Sequence, residues 1–111
     1  MKTNRSSPLP EYTEMDDVAL LQAITTGQSA ALAALYDRYG RLIYSLAMNV
    51  LSEPAAAEEV TQDVFVQVWD KASRYDAQLG KVSSWLIGIA RNRAIDGLRR
   101  RNARPEGHQI L

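Results

Sequence analysis

The sequence contains no cysteine and only one histidine. Without cysteine there is neither a disulfide nor a thiolate metal site, which fits a reducing compartment. The histidine, His108, sits in the tail "NARPEGHQIL". Glu58, Glu59 and Asp63 therefore lack the nearby histidines that a di-metal helical bundle uses. No apolar run approaches the roughly 18 residues of a membrane span, and the opening "MKTNRSSPLPEYTEM" lacks the apolar core of a secretory signal. These absences argue against an enzyme. They lead us to expect a soluble, cytoplasmic protein with no membrane insertion, no metal and no cofactor.

What is present is enough for one small domain: 111 residues bury a single core without covalent staples. The formal net charge is zero, yet it is unevenly spread. Residues 1–70 carry four basic against ten acidic side chains, a balance of −6, and residues 71–111 carry nine against three, a balance of +6. A dipolar chain of this kind suggests two different partners, one of them polyanionic.

Apolar positions recur at helical spacing throughout and no stretch alternates as a strand does, so the expected fold is all-α, a compact bundle of about four helices with a basic last helix. Residues 1–15, with Pro8 and Pro10, are expected to be a disordered lead. A first helix spans about Asp16 to Thr25, with Val18, Leu21 and Ile24 inward and Gly27 as its stop. The second follows the i, i+3, i+4, i+7 pattern through Leu32, Leu35, Tyr36, Tyr39, Leu42, Ile43, Leu46 and Val50. The third opens at "SEPAAAEE", with Ser52 or Glu53 as cap and Pro54 in the first turn. Its inward face is Ala57, Val60, Val64 and Val68, with Phe65 and Trp69 alongside, and its opposite stripe is Glu59, Gln62, Asp63, Val66 and Asp70. "SRYDAQLGK" is aperiodic and reads as a loop. Ser83 or Ser84 then caps the last helix, which runs to about Arg101 or Asn102.

Placed at 100° per residue, the last helix divides. Leu86, Ile87, Ala90, Ala94, Ile95 and Leu98 form a core face. Trp85, Gly88, Asn92, Asp96, Arg99 and Arg100 share the other, with Arg93 at its edge. Arginines in a last turn complement the helix dipole at about 0.3–1 kcal/mol each, but Arg91, Arg93, Arg99, Arg100, Arg101 and Arg104 together also repel one another. A phosphate-contacting surface is the second reading. Trp85 is open to two roles, core packing or stacking on an unpaired base. Tyr75 is open to the same choice, and the acidic stripe of the third helix is either a plain solvated face or a docking face.

"ALYDRYGRLIYSLA", "EEVTQDVFVQVW" and "SSWLIGIARNRAIDGLRRR", in this order and spacing, resemble region 2 of bacterial sigma factors, specifically the extracytoplasmic-function class of the sigma-70 family. The resemblance covers residues 16–104. It implies that Glu59, Gln62, Asp63 and Val66 meet the clamp helices of the polymerase β′ subunit. It implies that Tyr75, Asp76 and their neighbours through Lys81 border a pocket for a flipped base of the promoter −10 element. It further implies that Trp85, Arg91, Asn92, Arg93, Arg99 and Arg100 contact the non-template strand, and that an anti-sigma factor is a possible partner. Residues 105–111 are then expected to begin a linker to a second helical domain, region 4. The competing readings are a stand-alone regulator of duplex DNA, which needs a recognition helix with base contacts in its first turn, and a protein-interaction module with no DNA role.

Overall fold

The structure, a computed structural model, describes residues 10–103. Residues 1–9 of the expected disordered lead and the expected linker from residue 105 lie outside it. Residues 10–15 of that lead are described and depart from the expectation, since Pro10–Thr13 form a helical turn tied to the bundle by the Tyr12 hydroxyl on Gln28 and by Arg38 on the Thr13 carbonyl.

Five α-helices follow in order: α1 (Pro10–Thr13), α2 (Asp17–Thr25), α3 (Ser29–Leu51), α4 (Pro54–Lys71) and α5 (Val82–Ala103), with short 3₁₀ turns at Ala72–Arg74 and Ala77–Leu79 between the last two. No strand occurs among the described residues. The protein is all-α, four substantial helices and a single-turn α1.

Local chemistry sets the boundaries. The Asp16 carboxylate accepts from the Ala19 amide at 2.9 Å and starts α2. Gly27 ends that helix at φ +87°, where a side chain would be strained. Ser52 turns out to be the stop of α3 rather than the cap of α4: it adopts a left-handed φ of 59°, and its amide donates to the Met48 carbonyl at 2.8 Å. Glu53 holds the cap position of α4 without a side-chain cap bond. Helix α5 begins at Val82, so Ser83 and Ser84 lie inside its first turn. Neither serine is the cap.

The core is one continuous cluster. Leu20, Leu35, Ile43, Val64, Val68 and Leu86 are its largest fully buried side chains, the bulky aliphatic ones each worth about 1.5–3 kcal/mol. Helix α3 lies against α2, α4 and α5, and α4 packs on α5. The faces differ in detail from the helical-wheel expectation. Val18, Tyr36, Leu42 and Trp69 are exposed, while Leu20, Ala31, Ala34 and Ala47 take the buried places, because alanines let the helix axes approach closely. On α5 the buried line is Val82, Leu86, Ala90 and Ala94, and Ile87, Ile95 and Leu98 are only half-buried. Thr61, the buried polar residue, returns its hydroxyl to the Ala57 carbonyl at 2.8 Å and leaves nothing unsatisfied.

Candidate functional site

The outer ridge of α4 carries Glu59, Gln62, Val66 and Asp70 in the open. Val66 is 60% exposed, and Trp69 beside it is 39% exposed. Asp63 departs from the expected stripe: it is half-buried and turned toward α5, where its Oδ2 stands 3.9 Å from Arg93 Nη1. The ridge is therefore mixed, with Val66 and Trp69 as an apolar patch set between the polar Glu59 and Gln62 on one side and Asp70 on the other.

On α5 the arginines separate into two kinds. Arg93 donates from Nε to Gln67 Oε1 at 3.0 Å, besides its approach to Asp63. Arg100 reaches Asp96 one turn back at 3.9 Å. Arg101 donates to the Leu51 carbonyl at 3.1 Å and pairs with Glu53 at 3.5 Å, so it ties the end of α5 to the α3–α4 corner. Arg91 and Arg99 are exposed, and among the described residues neither has an ion-pair partner. Asn92 is exposed as well. An open cleft of about 800 Å³ separates α4 from the end of α5, lined by Glu59, Asp63, Arg93, Asp96 and Arg100 among others.

The loop between α4 and α5 is built rather than slack. Tyr75 Oη donates to the Gly80 carbonyl at 2.6 Å, and the Asp76 carboxylate accepts from the Gln78 amide at 2.9 Å, closing a 3₁₀ turn. Trp85 is half-buried, packed on the core and edge-on to the Tyr75 ring. Leu79, at the loop tip, is 85% exposed, and Lys81 is exposed beside it. Between this loop and the start of α2 lies an open cavity of about 790 Å³, bordered by Tyr75, Gln78, Leu79, Lys81, Asp17 and Tyr39.

Sequence reasoning did not anticipate Asp17, Tyr39 or Gln67. Asp17 accepts from Arg38 at 2.8 Å and from the Tyr39 hydroxyl, which fixes α2 on α3 at the cavity wall. Burial, then the hydrogen bond to Asp17, pushes the Tyr39 phenol up to about 12. No local signal links residues so far apart in the chain. Gln67 follows Asp63 at i+4 on one face of α4, but that spacing does not name Arg93, on another helix, as its partner.

These features describe an all-helical domain with a mixed polar-apolar ridge, a basic helix and a loop-walled cavity. The chain belongs to the Sigma-70 region 2 family, which residues 35–104 match. Similar proteins include the ECF RNA polymerase sigma factor SigK of Mycolicibacterium vanbaalenii, 42% identical over 86% of this chain and 48% of that protein. Those of a Mycobacterium species (strain KMS) and of Mycobacterium ulcerans are 40% and 39% identical, over 86% and 79% of this chain and 49% and 48% of theirs. The chain spans about half the length of these curated relatives. No described helix is long and apolar enough to cross a membrane.

Proposed function

We propose that this chain is the polymerase-docking and promoter-opening part of a transcription initiation factor acting in the cytoplasm. The α4 ridge, through Glu59, Gln62 and Val66, docks on the clamp helices of the β′ subunit; Asp63, expected with them, is turned toward Arg93 instead. Helix α5 and the cavity behind the loop hold the non-template strand of the −10 element. Extracting a base from the stack costs a few kcal/mol, and stacking it on a protein surface recovers about 1–3 kcal/mol. Selective binding of the open strand then shifts the equilibrium without catalysis. An anti-sigma factor is a further partner in this reading.

The observation that carries it is the pair Val66 and Trp69, one helical turn apart on α4 and 60% and 39% exposed beside the polar Glu59, Gln62 and Asp70. A contiguous exposed apolar pair rimmed by polar groups gains from a protein partner that covers it. The test is calorimetric binding of this chain to the isolated β′ clamp-helix segment, with Gln62→Ala and Val66→Glu as variants. Binding that Val66→Glu weakens at least tenfold supports the proposal. A folded sample that does not bind overturns it and favours a stand-alone nucleic-acid binder.

A further inference from the structure

The run of arginines on α5 does not present one uniform cationic surface: Arg93, Arg100 and Arg101 each stand beside a carboxylate, while Arg91 and Arg99 have no ion-pair partner among the described residues. We infer that in the free chain the arginines facing the α4–α5 cleft are neutralised from within, and that Asp63 and Gln67 form an autoinhibitory contact withholding Arg93 from nucleic acid. The inference rests on the reading that α5 faces a single strand.

Three geometries carry it. Arg93 is anchored at Nε by Gln67 at 3.0 Å and faces the Asp63 carboxylate at 3.9 Å. Arg100 faces Asp96 at 3.9 Å. Arg101 is spent on the Leu51 carbonyl and Glu53. Each of these guanidinium groups has a carboxylate within 4 Å, so a phosphate that approaches meets a negative charge already in place. Arg91 and Arg99 meet no such competitor among the described residues. They are the open contacts, and Arg99 shares a helical stripe with Trp85 and Asn92 at seven-residue spacing. The Arg93 contact is the one that bridges two helices, its ion pair close to half exposed at 43% and 45%, whereas the Arg100–Asp96 pair lies within α5 and is more exposed still, at 73% and 63%. Pairs of this kind are weak, which suits a contact that has to open.

Salt dependence reads the number of free contacts directly. Each phosphate neutralised on a single strand adds about 0.7 to the slope of log affinity against log salt. Two open arginines give a slope of about −1.4, and releasing Arg93 steepens it by about 0.7. The experiment is fluorescence anisotropy of a labelled single-stranded DNA 12-mer titrated with this chain over a range of salt. Variants are Asp63→Asn, Gln67→Ala, Arg93→Ala, the two doubles with Arg93→Ala, and Glu59→Gln as a control that removes one ridge charge without touching Arg93. Circular dichroism establishes that each variant is folded.

Asp63→Asn is expected to raise affinity about two- to fivefold more than Glu59→Gln does and to steepen the slope. Gln67→Ala, which changes no charge, is expected to raise affinity in the same sense. Both gains disappear when Arg93 is alanine. Equal gains from Asp63→Asn and Glu59→Gln, persisting in the Arg93→Ala background, overturn the autoinhibitory contact. Arg91→Ala and Arg99→Ala separate the two levels. If they weaken binding while Asp63→Asn shows no Arg93-dependent gain, only the contact fails. If they leave binding unchanged, the single-strand reading of α5 fails with it.

Discussion

The ring of Tyr75 stands edge-on to the indole of Trp85, with centroids 5.6 Å apart and planes at 63°. The same tyrosine closes the loop through its hydroxyl on the Gly80 carbonyl. One residue therefore sets the loop's shape and docks it on the first turns of α5, and Trp85 is as much a packing element as a surface for bases. Trp85→Ala is expected to cost about 2 kcal/mol, less than the 3–5 kcal/mol of a fully buried aromatic because the indole is only half-buried. Thermal unfolding followed by circular dichroism should show a fall of roughly 8–16 °C. Trp85→Phe, which keeps an aromatic edge for Tyr75, should recover most of it.

The Asp17–Tyr39 contact makes stability depend on pH in the alkaline range. Tyr39 titrates near 12 in the folded chain against an ordinary 10.0. Between those values the folded protein keeps a proton that the unfolded chain loses, so stability falls as pH rises from about 10 toward 12 and is unaffected by this group below that window. Tyr39→Phe should lower stability at neutral pH by about 1.5 kcal/mol, the low end for a hydrogen bond to a charged group. Denaturant melts at neutral and alkaline pH should show that the gap between the two proteins narrows as pH rises.

Arg101 and Arg99 look alike in the sequence and differ in the fold. Arg101→Met keeps the apolar stem and removes the bond to the Leu51 carbonyl together with the Glu53 pair. The expected loss is about 1 kcal/mol, smaller at high salt because part of it is an exposed ion pair. Arg99→Met should change stability by less than about 0.5 kcal/mol. Urea denaturation at two salt concentrations distinguishes them, and an equal loss for both would mean that the Arg101 clasp does not form.

Long-range geometry accounts for most of what the sequence did not reveal. Helical periodicity places α2 to α5 within a few residues, because apolar spacing and the Gly27 and Pro54 signals are local. Face assignment is less secure. Leu42 and Tyr36 look as suited to the core as Leu35 and Ile43, yet helix–helix approach favours the line of Ala31, Ala34 and Ala47. Ser52 misleads for another reason: a serine before a helix usually caps it, but here the preceding helix claims the residue for a left-handed stop. The α4 ridge was legible from the spacing of Glu59, Gln62 and Val66. The partners of Arg93, Arg100 and Arg101 were not equally so. Only Arg100 has its acid on the same helix, four residues earlier, while Gln67, Asp63 and Glu53 come from elsewhere in the chain.

Gly88 gives a final separation between stability and binding. It sits inside α5, and a β-carbon built there meets nothing within 4 Å, so no neighbour in the fold requires glycine. Alanine in a helix interior is favoured over glycine by about 0.8–1 kcal/mol, and Gly88→Ala should stabilise the protein by roughly that amount. The position shares the outward face with Trp85 and Asn92, however, where a bare backbone permits close approach of a strand. If that face holds single-stranded DNA, Gly88→Ala should raise the melting temperature while weakening oligonucleotide binding severalfold. Gly97→Ala, whose added carbon would make ordinary contact with Leu51 at 3.8 Å, should stabilise without that loss. A Gly88→Ala protein that melts higher and binds DNA unchanged would move the strand off this face of α5 and toward the loop cavity.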